Sequence, residues 1–128
     1  MIKNILLVDD DPIFHLITTK MIGLFDIPVN ISTHLNGKLA IEYLIKEYND
    51  SDCFIVVLDI NMHVMNGWDV LEELHSSQLD LYRNIWLYIV SSSTDDSDLE
   101  KSKQYPIVRK FYHKPLIKNQ VMEILNNV

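Results

Sequence analysis

The sequence predicts an α/β fold: five βα units forming a doubly wound parallel sheet with helices on both faces. Two observations carry this. Short apolar runs recur along the chain, each followed by an amphipathic segment at helical spacing. Most of the runs are continuously apolar rather than alternating, which suits strands buried on both faces of a parallel sheet.

Taken in order, Ile5 to Val8 is the first strand. Asp11-Pro12 then supplies an N-cap followed by proline at the first helical position. Ile13, Phe14, Leu16, Ile17, Met21 and Leu24 continue at helical spacing as the expected inward face, with Gly23 near the end. Val29 to Thr33 is a short alternating strand. Asn36-Gly37 opens a helix whose expected apolar face is Leu39, Ala40, Tyr43, Leu44 and Tyr48. Phe54 to Leu58 is the third strand, and Trp68 to Leu74 begins the third helix. Ile85 to Val90 is the fourth strand. The cap-rich run Ser91 to Asp96 leads into a weak, polar helix around Asp98 to Gln104, which Pro106 ends. Val108 to Tyr112 is a fifth, less hydrophobic strand, Lys114-Pro115 stops it, and Asn119 to Asn126 is the last helix. No internal repeat, linker or low-complexity block interrupts this order.

A chain of 128 residues is the size of one domain and buries a real core. No apolar stretch approaches the ~20 residues of a membrane helix, and the N-terminus has no signal-peptide pattern. One cysteine, Cys53, excludes an internal disulfide framework and suits a reducing cytosol, so a cytoplasmic location is expected. The net charge of −7 argues against nucleic acid or an anionic membrane as the main partner. Arg109, Lys110, Lys114 and Lys118 are too thin a cluster for such a footprint. A protein, a small ligand or a cation is the expected partner.

Open parallel sheets bind their ligands beyond the carboxyl ends of the strands. Strand one ends in Asp9, Asp10 and Asp11, strand three in Asp59 with Asn61 close behind, strand four in Ser91 and strand five in Lys114-Pro115. Strand two ends near Thr33-His34, without a chemical signature. Singly, each has a plain structural reading: Asp11 as a helix cap, Asp9 and Asp10 as a solvated loop, Asp59 as a turn residue, Ser91 as a cap, Lys114 as a surface lysine. Together they place carboxylates, a hydroxyl and an ammonium on one edge. Two carboxylates ~4 Å apart repel by about 4 kcal/mol at an effective dielectric near 20, so gathering Asp9, Asp10 and Asp59 calls for a cation. Carboxylates, a carbonyl and water describe magnesium better than zinc. A lysine and a hydroxyl beside it are what a transferring phosphoryl group needs.

The chain resembles the receiver domain of two-component response regulators (CheY-like), over essentially its whole length. The carriers are LLVDDD at 6–11, VVLDINM at 56–62 with MNGWDVL at 65–71, IVSSS at 89–93 and FYHKP at 111–115. The resemblance implies the flavodoxin-like strand order 2-1-3-4-5. It implies Asp59 as phosphoacceptor, magnesium (or manganese in its place) held by Asp10, Asp59 and the Asn61 backbone carbonyl, and Asp9 acting through a metal-bound water. Ser91 matches the hydroxyl that turns toward the phosphoryl group. Lys114 would ion-pair with it, and Lys114-Pro115 would be a cis peptide. Phe111 falls at the switch-aromatic position, with an ordinary core aromatic as its rival reading. Asn61 and Ser93 would tune the acyl-phosphate lifetime.

The implied function is a single receiver domain over 1–128, without an output domain. It would take its phosphoryl group from a histidine kinase or histidine phosphotransfer protein and signal by a conformational switch, or pass the group on in a phosphorelay. The downstream protein target is unknown, and a homodimer through the last two helices stays open. Such a protein is not an enzyme beyond its own phosphoryl transfer and autodephosphorylation.

One departure from the family pattern is His63, where proline is usual; it should loosen the loop or bring a new contact. His15, His34, His75 and His113 lack ligand spacing and read as surface or boundary residues. Two other classes compete. A haloacid-dehalogenase-type phosphatase wants an aspartate where Asn61 stands. A pseudo-receiver, an interaction module without phosphorylation, would not need every chemical position filled, as they are here.

Overall fold

The structure, a computed structural model, describes residues 1–79 and 83–127. Five strands alternate with five helices: β1 (Lys3–Val8), α1 (Pro12–Gly23), β2 (Val29–His34), α2 (Gly37–Glu47), β3 (Cys53–Asp59), α3 (Gly67–Ser76), β4 (Ile85–Ser91), α4 (Asp96–Ser102), β5 (Val108–His113) and α5 (Lys118–Asn126). All four strand pairings are parallel, in the order β2-β1-β3-β4-β5. The doubly wound (βα)5 sheet expected from the apolar runs is what forms, and its flavodoxin-like order is the one the resemblance implied.

Because both sheet faces are covered, the central strands have no solvent side. All of β3 is buried, and the alternation of its side chains divides the core in two. Leu6, Val8, Phe54, Val56 and Leu58 pack with Ala40, Leu44, Val70 and Leu74 of α2 and α3. Ile5, Leu7, Ile55 and Val57 face the other way, with Ile22 of α1 and Val121, Ile124 and Leu125 of α5. Edge strand β2, by contrast, is only partly buried. Cys53 lies inside the second core half, and burial pushes its thiol up to about 11, so it stays protonated and behaves as a small apolar residue.

Capping follows the sequence signals. Asp11 Oδ1 accepts the Ile13 N–H, Asn36 Oδ1 that of Leu39, and Asn66 with Asp69 closes a capping box at α3. The polar helix after β4 begins at Asp96, two residues before the expected start, because Asp95 caps it through the Ser97 N–H.

The expected face of α1 is wrong. Ile13, Leu16, Ile17 and Leu24 are 64, 57, 52 and 67% exposed, and the buried residues are His15, Thr18 and Ile22. Apolar residues lie all round this helix, so their spacing does not single out the face that packs on the sheet, which carries His15, Thr18 and Ile22. In α2, likewise, Leu39 is exposed and Ile41 takes its place in the core. His34 is buried too, tilted against Tyr43 at 4.8 Å between ring centroids, with Nε2 2.9 Å from Ser32 Oγ. Burial and the nearby His15 hold its imidazole below the ordinary value, hence neutral at pH 7. Of the four histidines expected at the surface or its boundary, His75 and His113 are exposed, whereas His15 and His34 are buried.

Candidate functional site

The acidic residues meet at the carboxyl edge of β1 and β3. Those strands run side by side in register, Val8 opposite Leu58, so the residues that follow, Asp9 and Asp59, leave the sheet together. Oxygens of Asp9, Asp10 and Asp59 all lie within 4.8 Å of one another. Asp9 and Asp59 are buried and Asp10 is half-buried.

Lys114 reaches this cluster from the end of β5. Its Nζ is 2.5 Å from Asp9 Oδ2 and 3.6 Å from Asp59 Oδ2. Its position is fixed twice over: the backbone N–H donates to the Ser91 carbonyl at 2.9 Å, and the ammonium lies 4.7 Å from the centre of the Phe14 ring. The Lys114-Pro115 peptide is cis. One ammonium therefore reaches two of the three carboxylates, Asp9 and Asp59. Burial first, and then the Asp9 carboxylate, push the Asp59 carboxyl up to about 6 against the opposing pull of Lys114 and the Asn61 N–H.

The loop after β3 holds Asp59 from the other side. The Asn61 N–H donates to Asp59 Oδ1 at 3.3 Å, and the His63 N–H makes a long, 3.4 Å bond to Asp10 Oδ2. Proline has no N–H to give, so the departure at position 63 brings a donor to the acidic cluster. Val64 and Met65 then take left-handed backbone, φ 59° and 73°. Gly67 closes the turn; a Cβ there would lie 2.7 Å from the Asp59 carbonyl oxygen and the Ile60 Cα, so α3 starts against the backbone of Asp59 itself.

Ser91 sits apart from the carboxylates. It is fully buried at the end of β4, opposite His113, and its Oγ accepts the Ser93 N–H at 3.1 Å. Ser93 Oγ accepts the Asp95 N–H, and its carbonyl meets His113 Nδ1 at 3.1 Å. Phe111 is half-buried on β5, packed on the Leu87–Ile89 side of the core, edge-on to His113 at 5.3 Å. Asp11 is exposed and acts as the α1 cap. Sequence reasoning thus found the edge but missed His15, whose ring lies directly beneath Asp9. The only signal for it was the i, i+3, i+7 spacing of 15, 18 and 22, masked by the apolar residues around it.

Three converging carboxylates with one ammonium are hard oxygen donors carrying surplus negative charge. That set fits a small divalent cation such as magnesium, and no sulfur or imidazole stands close enough to complete a softer site among the described residues.

Residues 5–126 match the response regulator receiver domain family. A two-component response regulator from Cytophaga hutchinsonii superposes with a TM-score of 0.85 at 26% identity, covering 98% of this chain and 96% of that one. A CheY-like receiver domain protein from Methanospirillum hungatei gives 0.76 at 21% identity, over 96% and 90%. The chemotaxis protein CheY4 of Vibrio cholerae gives 0.79 at 18%, over 100% and 99%. None of the curated proteins matches. With its five-fold βα order and the acidic edge beside a lysine, this chain belongs to the response regulator receiver domain family.

Proposed function

We propose that this receiver domain accepts a phosphoryl group on Asp59 in a magnesium-dependent reaction. The supporting observation is the convergence of Asp9, Asp10 and Asp59 at one sheet edge, with Lys114 reaching Asp9 and Asp59. An Asp59 carboxylate oxygen attacks the phosphorus of a phosphohistidine on a kinase or phosphotransfer protein. The new O–P bond makes an acyl phosphate as the N–P bond breaks, and the imidazole leaves with a proton from solvent. The carboxylates of Asp10 and Asp59 and the Asn61 carbonyl would hold the cation, with Asp9 acting through water, and the cation supplies positive charge to the phosphoryl oxygens.

Lys114 neutralises charge on the same group. It stands close enough to Asp59 to follow a phosphoryl oxygen while keeping its bond to Asp9. Ser91 turns its hydroxyl from the Ser93 N–H toward the phosphoryl group, Phe111 moves with it, and the loop leading to α4 shifts. Asn61 and Ser93 flank the approach of water and set the acyl-phosphate lifetime. The cell provides the donor and reads the switch in the cytoplasm.

Acetyl phosphate with magnesium should label the protein stoichiometrically, and Asp59→Asn should take no label. Unchanged labelling of Asp59→Asn would sink the assignment. Sustained turnover of a phosphomonoester would instead favour a phosphatase.

A further inference from the structure

Asp9 uses every polar group it has. Its N–H donates to the His34 carbonyl at 3.1 Å, continuing the β1–β2 ladder one residue past the strand. Its carboxylate accepts the Asp11 N–H at 2.9 Å through Oδ1 and Lys114 Nζ through Oδ2. Its carbonyl meets His15 Nε2 at 2.7 Å. Only this last partner is a side chain from α1, and it is buried, 7% exposed.

A carbonyl oxygen only accepts, so His15 must carry its proton on Nε2. Nδ1, on the other side of the ring, is buried and has no hydrogen-bond partner. A histidine that leaves one nitrogen unsatisfied in the interior is a poor way to fill space. Its other nitrogen supplies what an apolar residue there cannot.

We propose that His15 is a positioning residue for the acidic site: its Nε2–H anchors the Asp9 carbonyl, and so holds the Asp9 carboxylate between Lys114 and the Asp59 side of the cluster. The inference rests on the phosphoacceptor reading for its functional consequence, though not for its structural one. Asp9 is wholly buried, so water does not replace the lost donor. Without His15 the Asp9 peptide turns to find another partner, and the carboxylate three bonds from that carbonyl carbon shifts with it. Lys114 follows, because Asp9 is its nearest anion. α1 thus meets the site twice, through the His15 imidazole under Asp9 and the Phe14 ring beside Lys114.

Two variants separate positioning from packing. His15→Leu keeps bulk and removes the donor. His15→Gln places an amide N–H the same number of bonds from Cα as Nε2. Magnesium affinity, the rate of labelling by acetyl phosphate, hydrogen exchange of the Asp11 amide and the melting temperature are measured for both. His15→Leu should weaken magnesium binding about tenfold, the lower range for groups that orient metal ligands. It should also slow labelling and speed Asp11 exchange, since that amide is held by the Asp9 carboxylate. His15→Gln should restore most of all three.

A His15→Leu protein that matches wild type in magnesium affinity and Asp11 exchange overturns the proposal, whatever its melting temperature. So does failure of His15→Gln to restore them when both variants melt alike. Wild-type protein that takes no label at Asp59 overturns the phosphoacceptor reading instead, and Asp11 exchange still decides the role of His15.

Discussion

Burial and the Asp9 carboxylate raise the Asp59 carboxyl to about 6, so over roughly pH 4 to 6 the folded chain holds a proton that the unfolded chain has released. Native protein then binds more protons than unfolded protein, and stability falls as pH rises through that window. Asp59→Asn removes the penalty. In magnesium-free buffer near neutral pH it should be roughly 1–3 kcal/mol more stable than wild type, the gap closing toward about pH 4. Urea titrations at several pH values check this, and curves that stay parallel would contradict the burial of that charge. His63 acts through its backbone: His63→Pro deletes the N–H that reaches Asp10 while stiffening the turn. Labelling of Asp59 should survive and magnesium affinity should change by a few-fold at most, read by calorimetric titration. Loss of labelling would overturn this minor role for position 63. Asp59 was legible because it ends a continuously apolar run, where a parallel sheet must expose its edge, and Lys114 because it stands with Pro115 at the end of the last strand. His15 was not, because burial of a histidine depends on helix rotation, which nothing at that position announces.

The β3–α3 connection is the strained element. Val64 is β-branched and exposed, yet holds φ at 59°, a region that asparagine tolerates far better. Val64→Asn should therefore stabilise the protein by about 0.5–1 kcal/mol with labelling intact, measured by thermal melts and acetyl phosphate uptake. A destabilised variant would mean that the valine side chain makes a contact worth more than its strain. The strands were legible almost to the residue, since continuous apolar runs leave little choice of boundary. α1 was legible as a helix but not in its facing. Its apolar residues point in all directions, and the inward stripe begins with His15 and Thr18, the residues a hydrophobicity pattern discards. The polar α4 shows the reverse: its lack of an apolar stripe in the sequence matches a helix that buries only Ser102.

For the molecule as a whole, the net charge of −7 and the three-carboxylate cluster predict a stability that responds to cations. Magnesium at ten times its dissociation constant should add about 1.4 kcal/mol, or roughly 3–7 °C in melting temperature. Asp59→Asn should gain clearly less, and sodium at matched ionic strength should not reproduce the difference. Equal gains in both proteins would place the cation elsewhere. Sheet order separates the chemistry from the chain ends. β1 begins at the edge opposite Asp59, and Lys3 Nζ donates to the Leu125 carbonyl at 2.9 Å, so the first and last described segments are tied together there. Attachments at either end, or a tether joining both, would hang from the far pole and leave the approach to Asp59 open. The same closeness makes a head-to-tail link short, so the chain is well suited to circular permutation as a reporter whose new ends are cut beside the switch.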